Sequence, residues 1–309
     1  MSSFWKSDMP KGVPSKARSW RLDGRVTAVL LMLPPALILF TLFVILPLLD
    51  AGYYSLFKWN GYGAPTDFVG LENYAQVLNH DIFWKSVGNS GIVLIVSLLV
   101  QMPLALLLAL LVYRQTPANS AFRLIFFLPY ILAEIASGLI WSFVFDGNTG
   151  VAAGIANALG LEPFFILADK QWAFFAITIV VVWKYFGFHM MIYVAALQSV
   201  PEEMIEAARI EGARRWAVVR HVLIPQIKPA LLVSGFFAVV GSLQLFDVVI
   251  PLTNGGPSNS THTIVTYLYA FGLTRLKVGF GSAVGVLLFL AAMGVAIAYQ
   301  RYLNKESAR

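Results

Sequence analysis

Apolar positions fall in long, nearly uninterrupted runs along this chain. Six of them, at 26–49, 92–112, 124–145, 172–197, 230–252 and 281–299, are long enough to cross ~30 Å of hydrocarbon at 1.5 Å per residue. Each predicts a membrane-spanning helix. The first run is too long for the core of a cleaved signal and no small-residue cleavage site follows it, so it is expected to be a retained anchor. Prolines inside the runs (Pro34, Pro35, Pro103 and Pro129) predict kinks whose freed carbonyls need neighbours.

One segment breaks the pattern. Between the fourth and fifth runs, residues 198–229 are charged and amphipathic. Ser199 with Glu202 three residues on reads as a capping box, and Pro201 suits a first turn. Met204, Ala207, Ala208 and Glu211 fall on one helical face. Gly212-Ala213 then interrupts with two of the smallest residues. Trp216, Val219 and Leu223 recur at helical spacing before Pro225 and Pro229. The expectation is a helix, a tight turn and a second helix. Residues alone leave two uses for it: a docking element for another protein, or an amphipathic helix on a lipid surface.

Composition agrees with the runs. The chain is 58% hydrophobic and 12% charged, with a mean hydropathy of +0.73, so apolar side chains must face lipid. The absence of cysteine excludes disulfides and thiolate metal sites. A pI near 9.5 would suit nucleic acid, but the distribution of charge points to membrane topology instead. With the N-terminus inside, the inner segments hold sixteen Lys and Arg (Lys6, Lys11, Lys16, Arg18, Arg21, Arg25, Arg114, Arg123, Arg209, Arg214, Arg215, Arg220, Lys228, Arg301, Lys305, Arg309), and the outer ones hold five (Lys58, Lys85, Lys170, Arg275, Lys277). Positive charge stays inside. Both termini and the loop at 198–229 are therefore expected to be cytoplasmic. The expected organisation is a tail at 1–25, a transmembrane domain at 26–302 and a tail at 303–309.

Candidate chemistry is sparse. With four histidines, no cysteine and scattered carboxylates, no catalytic cluster and no metal-ligand set stands out. There is no GxxxxGK[ST] phosphate loop. Three ionisable residues lie within runs: Glu134, Lys184 and Asp247. Such residues line polar paths or pair with one another, here Lys184 with Glu134 or Asp247. A proton relay through His189 is a third reading. On the fifth run, Phe237, Gly241, Gln244 and Asp247 share a face. A ring, a small residue and polar groups together suit a saccharide, though helix packing uses the same residues.

The loop also carries a resemblance. Glu206-Ala207-Ala208, then Gly212-Ala213, then Ile224-Pro225 resembles the EAA loop of binding-protein-dependent ABC importer permeases, in which EAA-x-x-x-G is followed by I-x-L-P. This chain has Glu211 where Asp is commoner, and Val222-Leu223-Ile224-Pro225 at the second element. FVGLENY at 68–74 and LTNGGPSNST at 252–261 look like the carbohydrate-uptake branch, specifically the first, larger membrane subunit of maltose-type transporters.

The resemblance implies an all-α membrane protein with six transmembrane helices of the type I ABC importer permease fold, in a bacterial inner membrane. It implies a non-enzymatic subunit that passes on a sugar, a disaccharide, oligosaccharide or glycoside, delivered by an extracytoplasmic solute-binding protein. The other implied partners are a second related permease and two ATPase subunits, which would hold the ATP and its Mg²⁺; this chain would bind no cofactor. Glu206, Ala207, Ala208, Glu211, Gly212 and Ala213 would couple to the ATPase. Family sugar contacts map onto Tyr185, Phe188, Phe237, Gly241 and Gln244. With the charges in the spans, this predicts a cavity lined by Lys184, Tyr185, Phe188, Gln244 and Asp247. The rival reading is a secondary transporter or channel for a polar solute that works without an ATPase.

Overall fold

The computed structural model describes residues 24–162 and 164–307. The sequence-based expectations for the N-terminal tail at 1–23 and for Ala308 and Arg309 lie outside the described residues. The chain divides into two compact units, 1–49 and 50–309, each described by itself.

The first unit contributes most of helix α1, Val29–Tyr54. Its apolar side chains, Leu31, Met32 and Phe43 among them, are largely exposed, as a lipid-facing surface requires.

The second unit is built from helices. In chain order these are α2 (Glu72–Leu78), α3 (Asp81–Val112), α4 (Pro117–Ile131), α5 (Glu134–Val144), α6 (Val151–Ala158), α7 (Lys170–Gln198), α8 (Glu202–Ile210), α9 (Arg215–Gln226), α10 (Lys228–Gln244), α11 (Val249–Thr253), α12 (Ile264–Leu273) and α13 (Val278–Arg301). Among the described residues four helices, α1, α3, α7 and α13, are each long and apolar enough to cross a membrane. Two bent pairs, α4 with α5 and α9 with α10, make up to six spans when each pair is counted as one.

The third run is not the single span expected. Its helix stops at Ile131 and resumes at Glu134 with a 95° bend. Leu132 and Ala133 are extended, at ψ 142° and 137°. Pro129 lies one half-turn earlier and removes a backbone donor there. Elsewhere proline is absorbed differently. Pro47, Pro103 and Pro225 each follow by two residues a widened π turn, at Thr41–Ile45, Ser97–Gln101 and Val219–Leu223. A wide turn leaves room for the ring and for the carbonyl it would strike. Thus α3 passes Pro103 as one continuous span of 32 residues.

Helix starts are local. Asp169 accepts from the amides of Gln171 (2.8 Å) and Trp172 (3.0 Å) to open α7. Thr116 accepts from Asn119 N at 3.2 Å to open α4, with Pro117 next. The capping box expected at Ser199 and Glu202 does not form. Ser199 Oγ instead donates back to Ala196 O at 2.8 Å, at the end of α7, and Pro201 precedes α8 without a side-chain cap.

Packing is organised along α3. Its N-terminal portion joins a cluster with Val77, Phe83, Tyr267, Phe271 and Val284. Val93 joins a second with Ile177, Val180, Val248 and Val249. Ala105, Ala109 and Val112 join a third with Met190, Tyr193, Leu197, Ile205, Val218 and Leu223. The small residues Ala105 and Ala109, four apart, let α3 and α7 approach closely. Gly187 does the same for α4 and α7: a Cβ there would strike Phe126 O.

Candidate functional site

The third cluster ends on the helical hairpin α8–α9. Ile205, Val218, Leu223 and Ile227 anchor it against α3 and α7, and Gln198 Nε2 ties its start to Tyr113 O at 2.8 Å. The apolar positions at helical spacing divide. Ile205 faces inward, and Val218 is 4% exposed while Trp216 is 68% exposed. Of Trp216, Val219 and Leu223, only Leu223 is fully buried. Trp216, Ile210 and Met204 stand on the exposed surface. Glu206, Ala207 and Glu211 are exposed there too, while Ala208 and Ala213 are half-buried against the cluster. Gly212 has φ +87°, and an added Cβ would meet nothing within 4 Å. Glycine is thus required by the left-handed backbone of the turn.

The second feature is a cavity of about 490 Å³ bounded by α3, α4, α5, α7 and α10. Six of the seven expected substrate residues line it: Tyr185, Phe188, Phe237, Gly241, Gln244 and Asp247. One wall is aromatic. Tyr130 stacks on Phe188 with centroids 4.9 Å apart, and Phe188 meets Phe237 edge-on at 5.4 Å. The opposing groups are polar. Tyr185 Oη donates to Glu134 Oε1 at 2.9 Å, and Asp247 lines the same cavity. Ser97 and Gln101, from the π turn of α3, add a hydroxyl and an amide. At its edge, His189 Nδ1 pairs with Ser234 Oγ at 2.6 Å, and Tyr193 Oη donates to the same hydroxyl at 2.7 Å.

Lys184 is the correction. It was expected to line the cavity or to pair with a carboxylate. It is 1% exposed, is not among the lining residues, and donates to Leu132 O (2.6 Å), Pro129 O (3.3 Å) and Ser137 Oγ (3.3 Å). Those carbonyls belong to the broken end of α4, where no next turn exists to satisfy them. The ammonium fills that deficit. The kink and the buried cation, read separately in the sequence, are one feature.

Tyr130, Ser97 and Gln101 were not among the expected site residues, and Glu134 was expected only to line a polar path or to pair with Lys184. Ser97 and Gln101 carried a signal: they are the two hydrogen-bonding side chains in the apolar run 92–112, four residues apart, hence on one face. Tyr130 and Glu134 reach the cavity only because of the 95° break, which no spacing announces.

A family model described as "Binding-protein-dependent transport system inner membrane component" matches residues 101–308. The chain belongs to that family. The match takes in the broken helix, the hairpin and all of the cavity lining except Val93 and Ser97. Among similar proteins, the sulfoquinovosyl glycerol transport system permease protein SmoG of Agrobacterium fabrum is 32% identical over 297 residues, covering 96% of each chain. The trehalose/maltose transport system permease protein MalF of Thermococcus litoralis is 32% identical, over 87% of this chain and 91% of its own. In fold, this inner membrane component is similar to a chain of a bacterial ABC transporter involved in the import of the acidic polysaccharide alginate. That match has a TM-score of 0.82 at 22% identity and covers 94% and 99% of the two chains.

Proposed function

We propose that this permease is one of two related membrane subunits of an ATP-driven importer, and that its cargo is a saccharide. The observation that carries the cargo is the cavity wall. Tyr130, Phe188 and Phe237 offer ring faces to the apolar side of a sugar, while Glu134, Gln244, Asp247 and Gln101 offer partners to its hydroxyl rim. The named relatives that move sugars support the same reading.

In this reading the exposed face of α8–α9, with Glu206, Ile210, Gly212 and Trp216, seats in a groove on an ATPase subunit. Two such subunits hold the ATP and Mg²⁺, and this chain holds neither. A solute-binding protein delivers the sugar from outside, and both termini are cytoplasmic, as the Lys and Arg distribution requires.

Purification and transport test it. The chain co-purifies with an ATPase and a second permease, and Gln244→Ala with Tyr185→Ala lowers saccharide uptake while the assembly stays intact. Wild-type uptake in that double variant would remove the cavity from the transport path. Purification of a transport-competent chain without any ATPase would favour a secondary transporter instead. Surface labelling of a cysteine placed at Arg214 from outside intact cells would invert the topology.

A further inference from the structure

The cavity has a charge character that its size and aromatic wall do not explain. Its lining contains two acidic side chains, Glu134 and Asp247, and no Lys or Arg. They come from different elements, Glu134 from the first turn of α5 and Asp247 from the chain just beyond α10. The two elements are held together closely: a Cβ on Gly138 of α5 would collide with Pro251 of α11. Both carboxyl groups line the same cavity, and Tyr185 donates to that of Glu134 at 2.9 Å.

A cation near such a pair would neutralise it. The adjacent one is Lys184, which stands outside the lining and donates to Pro129 O, Leu132 O and Ser137 Oγ and not to a carboxylate, so that its charge reaches Glu134 only through space. The Tyr185 ring stands beside it, 5.8 Å from Nζ to the ring centroid. The acid pair therefore faces the cavity with no Lys or Arg in the lining, and the one imidazole there, His189, is bonded to Ser234 Oγ at 2.6 Å. With either carboxyl ionised the pair is negative. It then accepts hydrogen bonds from hydroxyl or ammonium groups and opposes an anionic group brought to the same distance.

We propose that this cavity selects its saccharide by charge: it takes neutral or amino sugars and excludes acidic ones, with Glu134 and Asp247 as the specificity-determining pair. The inference rests on the saccharide reading above and narrows it. It also separates this chain from the alginate importer whose fold it shares, since that transporter is described as moving an acidic polysaccharide.

The test is equilibrium binding to the assembled, detergent-purified transporter without its solute-binding protein, so that selection upstream does not intrude. The probes are three labelled disaccharide sets matched in size: neutral, hexosamine-containing and uronate-containing. The neutral and hexosamine sets bind, and the uronate set binds at least about tenfold more weakly. Glu134→Gln combined with Asp247→Asn brings the uronate set to within about threefold of the neutral one. Uronates binding to the wild-type complex as tightly as the neutral set would overturn the inference and leave the saccharide reading standing. So would discrimination that persists unchanged in a folded double variant. If none of the three sets binds, the saccharide reading itself falls, and the inference with it. The wild-type comparison decides the matter even where the double variant fails to assemble.

Discussion

The hairpin α8–α9 and the cavity are the two regions on which the proposed function turns, and they are built in opposite ways. The hairpin is a local structure. Its turn needs one glycine at φ +87°, its two helices are neighbours in sequence, and its outer face is left free for a partner. The cavity is assembled from five helices that are distant in sequence, and its polar groups are bonded to one another across long separations, such as Tyr185 to Glu134 and His189 to Ser234. The difference teaches where each is fragile. The hairpin fails at the backbone of one turn, whereas the cavity fails when any one of its helices loses its place.

The largest effect is expected from the residue that holds the cavity's broken wall. Lys184→Met removes the donor to three acceptors in a buried setting, and charged hydrogen bonds contribute about 1.5–3 kcal/mol. The assembled transporter should lose thermal stability by that order, and uptake should fall with it. A variant that unfolds at the wild-type temperature would mean that Leu132 O and Pro129 O find other partners, and the broken helix would not depend on this cation.

The hairpin should answer differently. Gly212→Val forces a β-branched residue into a left-handed turn, at a cost of roughly 1–2 kcal/mol. The space around it is open, so the cost is one of conformation and not of collision. Uptake and substrate-stimulated ATP hydrolysis should drop together while saccharide binding in the cavity is kept. Gly212→Asn, which tolerates the left-handed region, should retain most of the coupling. Equal loss in the Asn and Val variants would point to contact with the partner, not backbone shape, as the reason for glycine.

How far each region was legible in the sequence follows from the same contrast. The hairpin was readable because Gly212 and the prolines punctuate a short segment, whereas its start was not: the capping box expected at Ser199 and Glu202 does not form, and Ser199 Oγ donates back to Ala196 O. The spans at 172–197 and 281–299 were readable because long apolar runs have one physical solution in lipid. The face Phe237, Gly241, Gln244 and Asp247 was readable because helical spacing puts those positions together. The role of Lys184 was not. Its acceptors lie 47 to 55 residues away, and they exist only because the third run breaks at Leu132. Pro129 hinted at that break but did not fix its angle.

A smaller effect sharpens the account of the cavity. Tyr185→Phe keeps the ring and removes the hydroxyl that donates to Glu134. One hydrogen bond contributes about 1 kcal/mol, so half-saturation for the transported sugar should rise roughly fivefold. The maximal ATPase rate should stay near wild type, since the hairpin is untouched. A change confined to the ATPase rate would place Tyr185 in coupling and erase the division between the two regions.

The smallest effect concerns a turn as local as that of the hairpin, just beyond α5. Asp146 Oδ1 accepts from Thr149 N (2.7 Å), Asn148 N (3.0 Å) and Thr149 Oγ1 (3.0 Å). The bonds from Thr149, with the Asn148 amide after them, hold its carboxyl below the usual carboxylate range. All three serve the ionised form. The sign follows: a carboxyl lowered on folding adds order to the turn at every pH above its unfolded value, and that order is lost as pH falls through the lower, folded value. Hydrogen exchange at the Thr149 amide should therefore stay protected, after correction for intrinsic rates, down to pH values at which an ordinary aspartate has already taken up its proton. Asp146→Asn should remove that pH dependence, because an amide does not titrate. The group is half-buried in its own turn and is not among the residues that line the cavity, so the change should stay within the turn and leave sugar binding unaltered. Loss of binding on the same pH scale in Asp146→Asn would instead assign the titration to groups around the cavity, and the turn would no longer serve as its local control.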